Sequence, residues 1–289
     1  MNSISIIGAG KLGTSLGRAL AQNGFKIDSL SCRRLSSAIE SRRIIGQGYP
    51  SDDNIETARS AKIVILSVPD DEIERVAREL ALSDIKWDKK IVFHCSGLLS
   101  TKILNPLRAK GSLTSSIHPI QSFSSKNTNP SIFEGTYFSL EGNAEALKKA
   151  KVIISKLGSH FFTINPKDKP LYHVSCCVAS NFLIVLLDMA VSILKKVNLK
   201  EEMAFQILMP LIQETLQNVK NFAPSSSLTG PIPRGDQHTV EKHLKALEEF
   251  PYFHDTYEIL SNQALEIVRK EKKLSSQKIK ALKSLLQRK

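Results

Sequence analysis

The chain has 289 residues, with 40 Lys and Arg against 28 Asp and Glu, so its formal net charge is +12 at pH 7. This length is sufficient for two domains with hydrophobic cores. A basic chain can bind nucleic acid or an anionic membrane, but much of the excess charge lies in residues 269–289, where leucine and isoleucine recur at helical spacing. No nucleic-acid-binding motif is present, so we expect no nucleic-acid partner.

The cysteines and the apolar stretches indicate the compartment. The four cysteines are Cys32, Cys95, Cys176 and Cys177. No Cys-x-x-Cys pair occurs, and two adjacent cysteines suit neither a zinc site nor an ordinary disulfide. No signal peptide precedes the first strand. The most apolar stretch, 182–194, contains Asp188 and is too short to span a bilayer. We therefore expect a cytoplasmic protein with neither a metal site nor a membrane partner.

Residues 3–17 read as an apolar strand, a glycine-rich turn and the start of a helix. Gly8, Gly10 and Gly13 have G-x-G-x-x-G spacing, which permits a tight turn, backbone approach to a diphosphate, and close packing of helix on strand. The first helical residues, Lys11 and Leu12, would offer backbone N–H groups at the positive end of the helix dipole. The turn predicts dinucleotide binding; the alternative is a purely structural glycine turn.

The residues after the second strand indicate which dinucleotide binds. The apolar run 25–30 predicts that strand, and Ser31, Arg33 and Arg34 follow it. In NAD-binding folds an acidic residue at this position bonds the ribose hydroxyl, but the one acidic residue nearby, Asp28, falls inside the strand. A guanidinium matches a 2′-phosphate instead. This favours NADP, unless the two arginines are simply solvated.

Further strands alternate with helices up to residue 165. Predicted strands cover residues 61–68, 90–94, 113–117, 138–140 and 160–164, and a helix covers 144–157. This alternation predicts an α/β fold, a Rossmann-type, doubly wound, mostly parallel sheet forming a domain at 1–165. Ligands bind at the carboxyl ends of such strands. Ser67, Pro69 and Ser96 are therefore predicted beside the cofactor, and His118 beside the substrate.

Residues 166–289 show no convincing strand and predict an all-α second domain that binds substrate. By their spacing, Lys169, His173, either Cys176 or Cys177, and Ser180 can share one helix face, with Asn181 at its edge. Reduction of a carbonyl or imine needs a proton donor, which Lys169 or His173 would supply, while Asn181 would bind substrate. The alternative is a capping lysine and a hydrogen-bonded structural histidine.

A second group of polar residues lies within 225–243, where Gly and Pro dictate an unusual backbone. Arg234 would bind a substrate carboxylate, with Thr229 beside it, and Asp236 or His238 would transfer protons. The alternative is a well-capped loop between helices. In that interpretation Asp236 caps a helix that begins near Gln237 and pairs with Arg234.

These residues resemble one group of Rossmann-like proteins whose C-terminal domain has no assigned function. The motifs are the glycine turn, His118-Pro119 with Ser122-Phe123, Phe133-Glu134-Gly135 with Glu141-Gly142, Lys169-x-x-Tyr172-His173, Ala179-Ser180-Asn181, and Leu228-Thr-Gly-Pro-Ile-Pro-Arg-Gly-Asp236 with His243-Leu244. The resemblance covers nearly the whole chain except the basic tail. The group is similar in architecture to ketopantoate reductase, pyrroline-5-carboxylate reductase and the deazaflavin-dependent NADP oxidoreductases.

The resemblance implies a C-terminal domain like that of 6-phosphogluconate dehydrogenase, a homodimer built by that domain, and ketopantoate reduction as the leading activity. Lys169 matches the lysine that opens the long helix of ketopantoate reductases. His173 replaces the asparagine found there, and Asp236 would stand in for a glutamate on a later helix. The Pro-Gly-Gly-Thr-Thr signature of pyrroline-5-carboxylate reductases is absent.

We therefore expect an NADPH-dependent reductase of a small 2-oxo acid, with its site between the two domains and Lys169, His173 or Asp236 as proton donor. Two alternatives remain. One is a non-catalytic NADP-binding sensor or scaffold that uses the tail helix for a partner. The other is an imine reductase or opine-type dehydrogenase, which would need an amine cosubstrate.

Overall fold

The computed structural model describes residues 3–287, and the chain divides into two compact units, one up to Phe182 and one from Leu183. The first unit contains an eight-stranded sheet in the order β3-β2-β1-β4-β5-β6-β7-β8. The strands are β1 (Ile4–Ile7), β2 (Ile27–Ser31), β3 (Tyr49–Ser51), β4 (Ile63–Leu66), β5 (Ile91–His94), β6 (Leu113–Pro119), β7 (Tyr137–Gly142) and β8 (His160–Thr163).

Helices connect these strands and make up the rest of the chain. They are α1 (Lys11–Gln22), α2 (Leu35–Ile45), α3 (Asn54–Ser60), α4 (Asp70–Leu82), α5 (Asn105–Arg108), α6 (Ala144–Lys156), α7 (Lys169–Ala179), α8 (Asn181–Lys195), α9 (Glu201–Phe222), α10 (Pro224–Ser227), α11 (Pro231–Arg234), α12 (Gln237–Leu247), α13 (Pro251–Lys270) and α14 (Ser276–Leu285).

The sheet is parallel except where β6 pairs antiparallel with β7. Its central strands are apolar and buried on both faces: all four residues of β4 are fully buried. Ile65 packs into the core on one face, and Val64 and Leu66 into the core on the other. Such burial accounts for the continuous apolar runs in the sequence. The predicted α/β, mostly parallel, Rossmann-type fold is confirmed.

One strand was absent from the sequence-based expectations. β3 is three residues long, and its Pro50 pairs with Leu30 of β2 at the edge of the sheet. A proline interrupts the usual strand pattern and is tolerated at an edge because no ladder donor is needed on the outer side. The alternation of apolar and polar residues that predicts a strand therefore does not identify this short edge strand.

The predicted domain boundary at 165/166 lies before α7, whereas the compact units divide after Phe182. α7 belongs with the sheet because the side chain of its first residue, Lys169, is fully buried there. A polar, proline-bounded segment marks a change of secondary structure. It does not mark the end of packing against the sheet.

In the described residues of the second unit, 183–287, all the regular secondary structure is helix, and short loops connect the helices. Its core lies among α11, α12, α13 and α14, and the core residues are Ile232, Val240, Leu265, Val268, Leu282 and Leu286. α8 and α9 contribute little to this core and leave large apolar side chains exposed. These include Ile184, Val185, Leu186, Met203, Phe205, Ile207, Leu211 and Leu216.

The helical stretch Pro166–Lys195 is long and apolar enough to cross a membrane, with a mean hydropathy of 2.2 over its most apolar window, 11% of which is buried. The run 182–194, which we expected to be too short to span a bilayer, is thus part of a longer apolar helical stretch that is long enough. Length and composition of this kind also occur in helices that pack in protein cores or at subunit interfaces. On their own they assign no membrane.

Candidate active site

The glycine-rich turn is built as the sequence predicts. Gly8 has φ +88°, and a Cβ there would lie 2.7 Å from the Val68 backbone nitrogen. A Cβ on Gly13 would lie 2.5 Å from Gly8 O and would also collide with Ser67 Oγ. At Gly10 the nearest atom is 4.0 Å away. Two glycines therefore permit close packing, while the backbone at Gly10 faces open space.

The N-terminus of α1 is available to an anion. Gly10 is its N-cap, no side chain caps the helix, and no acidic residue lies in its first turn. The first backbone N–H groups of a helix have no partner within it, so those of Lys11 and Leu12 face the space next to Gly10. A diphosphate fits this arrangement of free donors and helix dipole.

The carboxyl end of β2 adjoins the glycine turn, since the N–H groups of Gly8 and Ala9 both donate to Ser31 O at 2.9 Å. Ser31 is buried and its hydroxyl donates to Asn54 Oδ1 at 2.9 Å, so this side chain joins β2 to α3, and its cofactor-binding role stays a prediction. Arg33 and Arg34 are exposed. Asp28 lies inside β2, and Lys26 pairs with it at 2.7 Å. Two arginines thus follow β2 in the chain, and residues 32–36 include no acidic residue.

The hydroxyls of Ser67 and Ser96, which are predicted to lie beside the cofactor, form hydrogen bonds within the loops at this edge of the sheet. Ser67 Oγ donates to Gly8 O at 2.7 Å, joining the end of β4 to the glycine turn. Ser96 Oγ donates to Asp70 Oδ2 at 2.6 Å and accepts the N–H groups of two following residues. Pro69 is the N-cap residue of α4. These side chains shape the edge of the sheet, and their binding roles stay predictions.

Lys169 lies fully buried at the same edge. Its Nζ donates to Ser116 Oγ at 2.6 Å and to Ser96 O at 3.2 Å. Burial lowers the pKa of this ammonium to about 8, although Glu141 and Asp70 act to raise it. An ammonium has three donors, so one is left for a ligand. Such an ammonium is mostly protonated at neutral pH and loses its proton when the pH rises by one or two units.

Three aromatic side chains lie beside this lysine. His118 Nδ1 and Tyr172 Oη are 2.6 Å apart, and the ring of His173 is 6.1 Å from that of His118. Burial lowers the pKa of His118 to about 4, helped by His173 and Lys169, so its imidazole is neutral at physiological pH. Burial also raises the pKa of Tyr172, which stays a phenol.

Gly97 makes room for both imidazoles. A Cβ at this position would lie 2.7 Å from His173 Cδ2 and 2.8 Å from His118 Cε1. No side chain other than hydrogen fits there without displacing the two rings. The loop after β5 thus lies against the rings of both His118 and His173.

His94 is a further buried group that sequence reasoning missed. Its Nδ1 accepts the N–H of Ser96 at 3.2 Å, and its Nε2 has no hydrogen-bond partner among residues 3–287. Burial, with Lys169 and His118 nearby, lowers its pKa to about 3.

Tyr172 and Ser116 are two further residues near Lys169 that sequence reasoning missed as candidate site residues. The Lys-x-x-Tyr-His motif contained a signal for Tyr172, but nothing local marks Ser116 as the partner of a lysine.

In the second unit, Asp236 caps α12. Its carboxylate accepts the N–H of Thr239 at 3.0 Å and the hydroxyl of Thr239 at 2.7 Å, and these hydrogen bonds lower its pKa. The helix-cap interpretation thus describes the contacts of Asp236. An ionised carboxylate is not suited to donate a proton, so the structure gives no support to Asp236 as the acid.

The other predicted residues of the second domain are open to solvent. Arg234 ends α11, and its side chain is exposed, as are those of Thr229 and His238. Asn181, at the start of α8 in the first unit, is exposed as well. Their proposed contacts with substrate stay predictions. On α7, Cys177 Sγ is 4.0 Å from His173 Nδ1, so these two residues lie on one side of the helix.

Comparisons with known proteins agree with this architecture. Residues 1–119 match the model of a Rossmann-like domain, and residues 136–264 match that of the domain of unknown function DUF2520. The comparison with curated proteins found no match.

Three solved structures illustrate the similarity. BF3122 from Bacteroides fragilis, a candidate NADP oxidoreductase, is 27% identical with a TM-score of 0.76, covering 91% of this chain and 97% of that one. Protein TM1727 from Thermotoga maritima is 26% identical with a TM-score of 0.69, covering 93% and 99%. A pyrroline-5-carboxylate reductase from Coxiella burnetii shares the fold at 18% identity and a TM-score of 0.57, covering 92% and 98%.

The sequence resemblance is thereby confirmed, and the structural neighbours include NADP-dependent oxidoreductases. The chain is a two-part protein that joins a Rossmann-like domain to a DUF2520 domain.

Proposed function

We propose that this protein is an NADPH-dependent reductase of a small 2-oxo acid, with ketopantoate as the leading substrate. The observation that carries the proposal is Lys169, a fully buried ammonium with a pKa near 8 at the carboxyl edge of a nucleotide-binding sheet. A proton donor whose pKa lies close to the working pH is what carbonyl reduction requires. The Bacteroides fragilis relative is named a candidate NADP oxidoreductase, and this name supports the cofactor class.

The residues of the first unit suit NADPH, which when bound supplies the hydride. The N–H groups at the start of α1 would hold its diphosphate, and Arg33 and Arg34 its 2′-phosphate. Arginine presents a planar fork of donors that matches phosphate oxygens, and it cannot accept from a ribose hydroxyl. The absence of an acidic residue at the end of β2 agrees with this assignment.

Lys169 would bind the carbonyl oxygen of the substrate with its free N–H and donate the proton as the carbonyl carbon is reduced. Ser116 Oγ and Ser96 O hold the other two N–H groups, so the third has a defined direction. Neutral His118, oriented by Tyr172, would donate or accept a hydrogen bond without adding charge. The charge of Lys169 favours an anionic substrate such as an oxo acid.

A panel of 2-oxo acids that includes ketopantoate, assayed for NADPH oxidation beside NADH, tests this function. Turnover with NADPH and one oxo acid is the expected result. If NADPH binds tightly but no oxo acid is turned over, the sensor interpretation replaces ours. Turnover that requires an amine would identify an imine or opine-type reductase instead, in keeping with the fold shared with pyrroline-5-carboxylate reductase.

We further propose a homodimer formed through α8 and α9. Ile184 on α8 and Leu211 on α9 are 63% and 64% exposed, and neighbouring apolar residues on both helices are similarly uncovered. Large apolar side chains exposed along two helices are typical of a surface that another chain covers. Sedimentation of Ile184→Glu/Leu211→Glu should report a monomer, while Leu82→Glu, at an exposed position of α4, should leave the dimer intact.

A further inference from the structure

The connection between β6 and β7 folds back over the cofactor-binding half of the first unit. Arg18 on α1 donates to Asn127 Oδ1 at 2.8 Å, and the rings of Phe123 and Phe133 lie 5.6 Å apart at the edge of the core. These contacts anchor both parts of the connection. A loop that begins near the substrate site therefore reaches α1 and α2.

Lys126 lies in the middle of this loop and contacts α2. Its Nζ donates to Glu40 Oε2 at 2.7 Å and to Ser37 O at 3.3 Å. The Lys126 side chain is 22% exposed, whereas that of Glu40 is 61% exposed. The ammonium is thus held in a defined place, with a weakly buried carboxylate as its ionic partner.

That place is next to the end of β2. Cys32, which precedes the arginine pair, has its Sγ 3.3 Å from Ala9 O in the glycine turn. The Lys126 ammonium is close enough to act on the Cys32 thiol, lowering its pKa against the larger, opposite effect of burial. The N-cap of the eleven-residue α2 is Arg34, and no side chain caps that helix.

We propose that Lys126 is the third cation of the 2′-phosphate site, together with Arg33 and Arg34. This inference rests on the proposed NADPH specificity. The arginines are exposed, so ordering their long side chains on binding costs conformational entropy. Lys126 is already positioned by Ser37 and Glu40, so it adds its charge with less ordering. A phosphate dianion would replace the exposed Glu40 carboxylate as the partner of the ammonium.

The test compares NADPH and NADH affinities by isothermal titration calorimetry for the full chain. Lys126→Met should weaken NADPH about tenfold, the effect of one charge-assisted hydrogen bond, and should change NADH less than twofold. Lys148→Met, at an exposed position of α6, removes the same charge elsewhere and should change neither. Glu40→Gln breaks the ion pair but keeps the ammonium, so NADPH affinity should be unchanged or higher.

The result that would contradict the proposed cofactor differs from the results that would contradict the role of Lys126. If the wild-type protein binds NADPH no more tightly than NADH, the NADP assignment itself is wrong. If it prefers NADPH and Lys126→Met retains that preference, Lys126 takes no part. Equal losses of NADPH and NADH affinity in both Lys126→Met and Glu40→Gln would make the pair a latch that only holds the loop. Thermal denaturation of each variant verifies that it is folded.

Discussion

Lys169 Nζ and Ser116 Oγ are joined by a 2.6 Å hydrogen bond, although the two residues lie 53 positions apart in the chain. The bond ties the first turn of α7 to β6, and Ser116 also donates to Ser96 O at 3.2 Å. Three elements thus converge on one buried ammonium. Because a buried charge without partners would be strongly unfavourable, this network is what allows Lys169 to occupy the edge of the sheet.

Replacing Lys169 by Met should lower kcat by roughly 10²–10⁴-fold, the usual contribution of a general acid. The Kd for NADPH should be nearly unchanged, because the residue contacts no part of the glycine turn. Steady-state kinetics and calorimetry measure the two quantities separately. Lys169→Arg keeps a charge that does not titrate in this range, and it should remain slow. A large loss of NADPH binding would remove Lys169 from the chemistry.

The rate should depend on pH through the same group. Since the pKa of Lys169 is lowered to about 8, kcat should be constant below that pH and fall as the pH rises through it, when the acid loses its proton. In Lys169→Met the residual rate should lack this limb. A wild-type profile that is flat from pH 7 to pH 9 would contradict the assignment.

Stability should change with pH in the opposite sense. The unfolded lysine titrates near 10.5 and the folded one near 8, so between these values the unfolded state binds the proton that the native state lacks. The free energy of unfolding therefore rises with pH across this window, and the gain is lost as the pH falls through 8. Urea unfolding at several pH values should show this slope in the wild type and a smaller slope in Lys169→Met.

The sequence predicted the parts of the site that local patterns encode. The glycine spacing, the ends of β4, β5 and β6, and the lysine that opens α7 all depend on short-range rules of turns, strand periodicity and caps. The partner of Lys169 depends on strand register instead: Ser116 pairs with His94 in the sheet, which brings both beside the loop at Ser96. No local pattern reports such a register.

The same distinction between local patterns and long-range packing explains why the compact units divide at a different residue and why the role of Asp236 stayed open in the sequence. The helical periodicity and the prolines predicted where α7 begins. They did not indicate that its first turn packs against the sheet. At Asp236, both a cap and an acid were compatible with the residue types, and the contacts with Thr239 support the cap. Composition alone does not distinguish a polar loop that binds a ligand from one that satisfies its own backbone.

Gly97→Ala should impair substrate turnover without affecting cofactor affinity. The added methyl would approach His173 Cδ2 and His118 Cε1 to less than 3 Å, so both rings must move. We expect kcat/KM for the oxo acid to fall by at least tenfold, as with other small misplacements of catalytic groups, while the Kd for NADPH stays the same. The same change made in His173→Ala should lower kcat/KM by a smaller factor, because one of the two clashes is absent there. An equal loss in both backgrounds would indicate that the loop, and not displacement of the His173 ring, is responsible.

Asp236→Asn separates the role of a helix cap from that of a proton donor. Asn caps helices about as well as Asp, so the variant should keep the wild-type Tm and kcat. Asp236→Ala removes the acceptor for the Thr239 N–H and should lower the Tm while leaving kcat per folded molecule unchanged. Thermal unfolding and kinetics on the same samples make the comparison. If Asp236→Asn folds normally but loses activity, the carboxylate takes part in catalysis and α12 must contribute to the site.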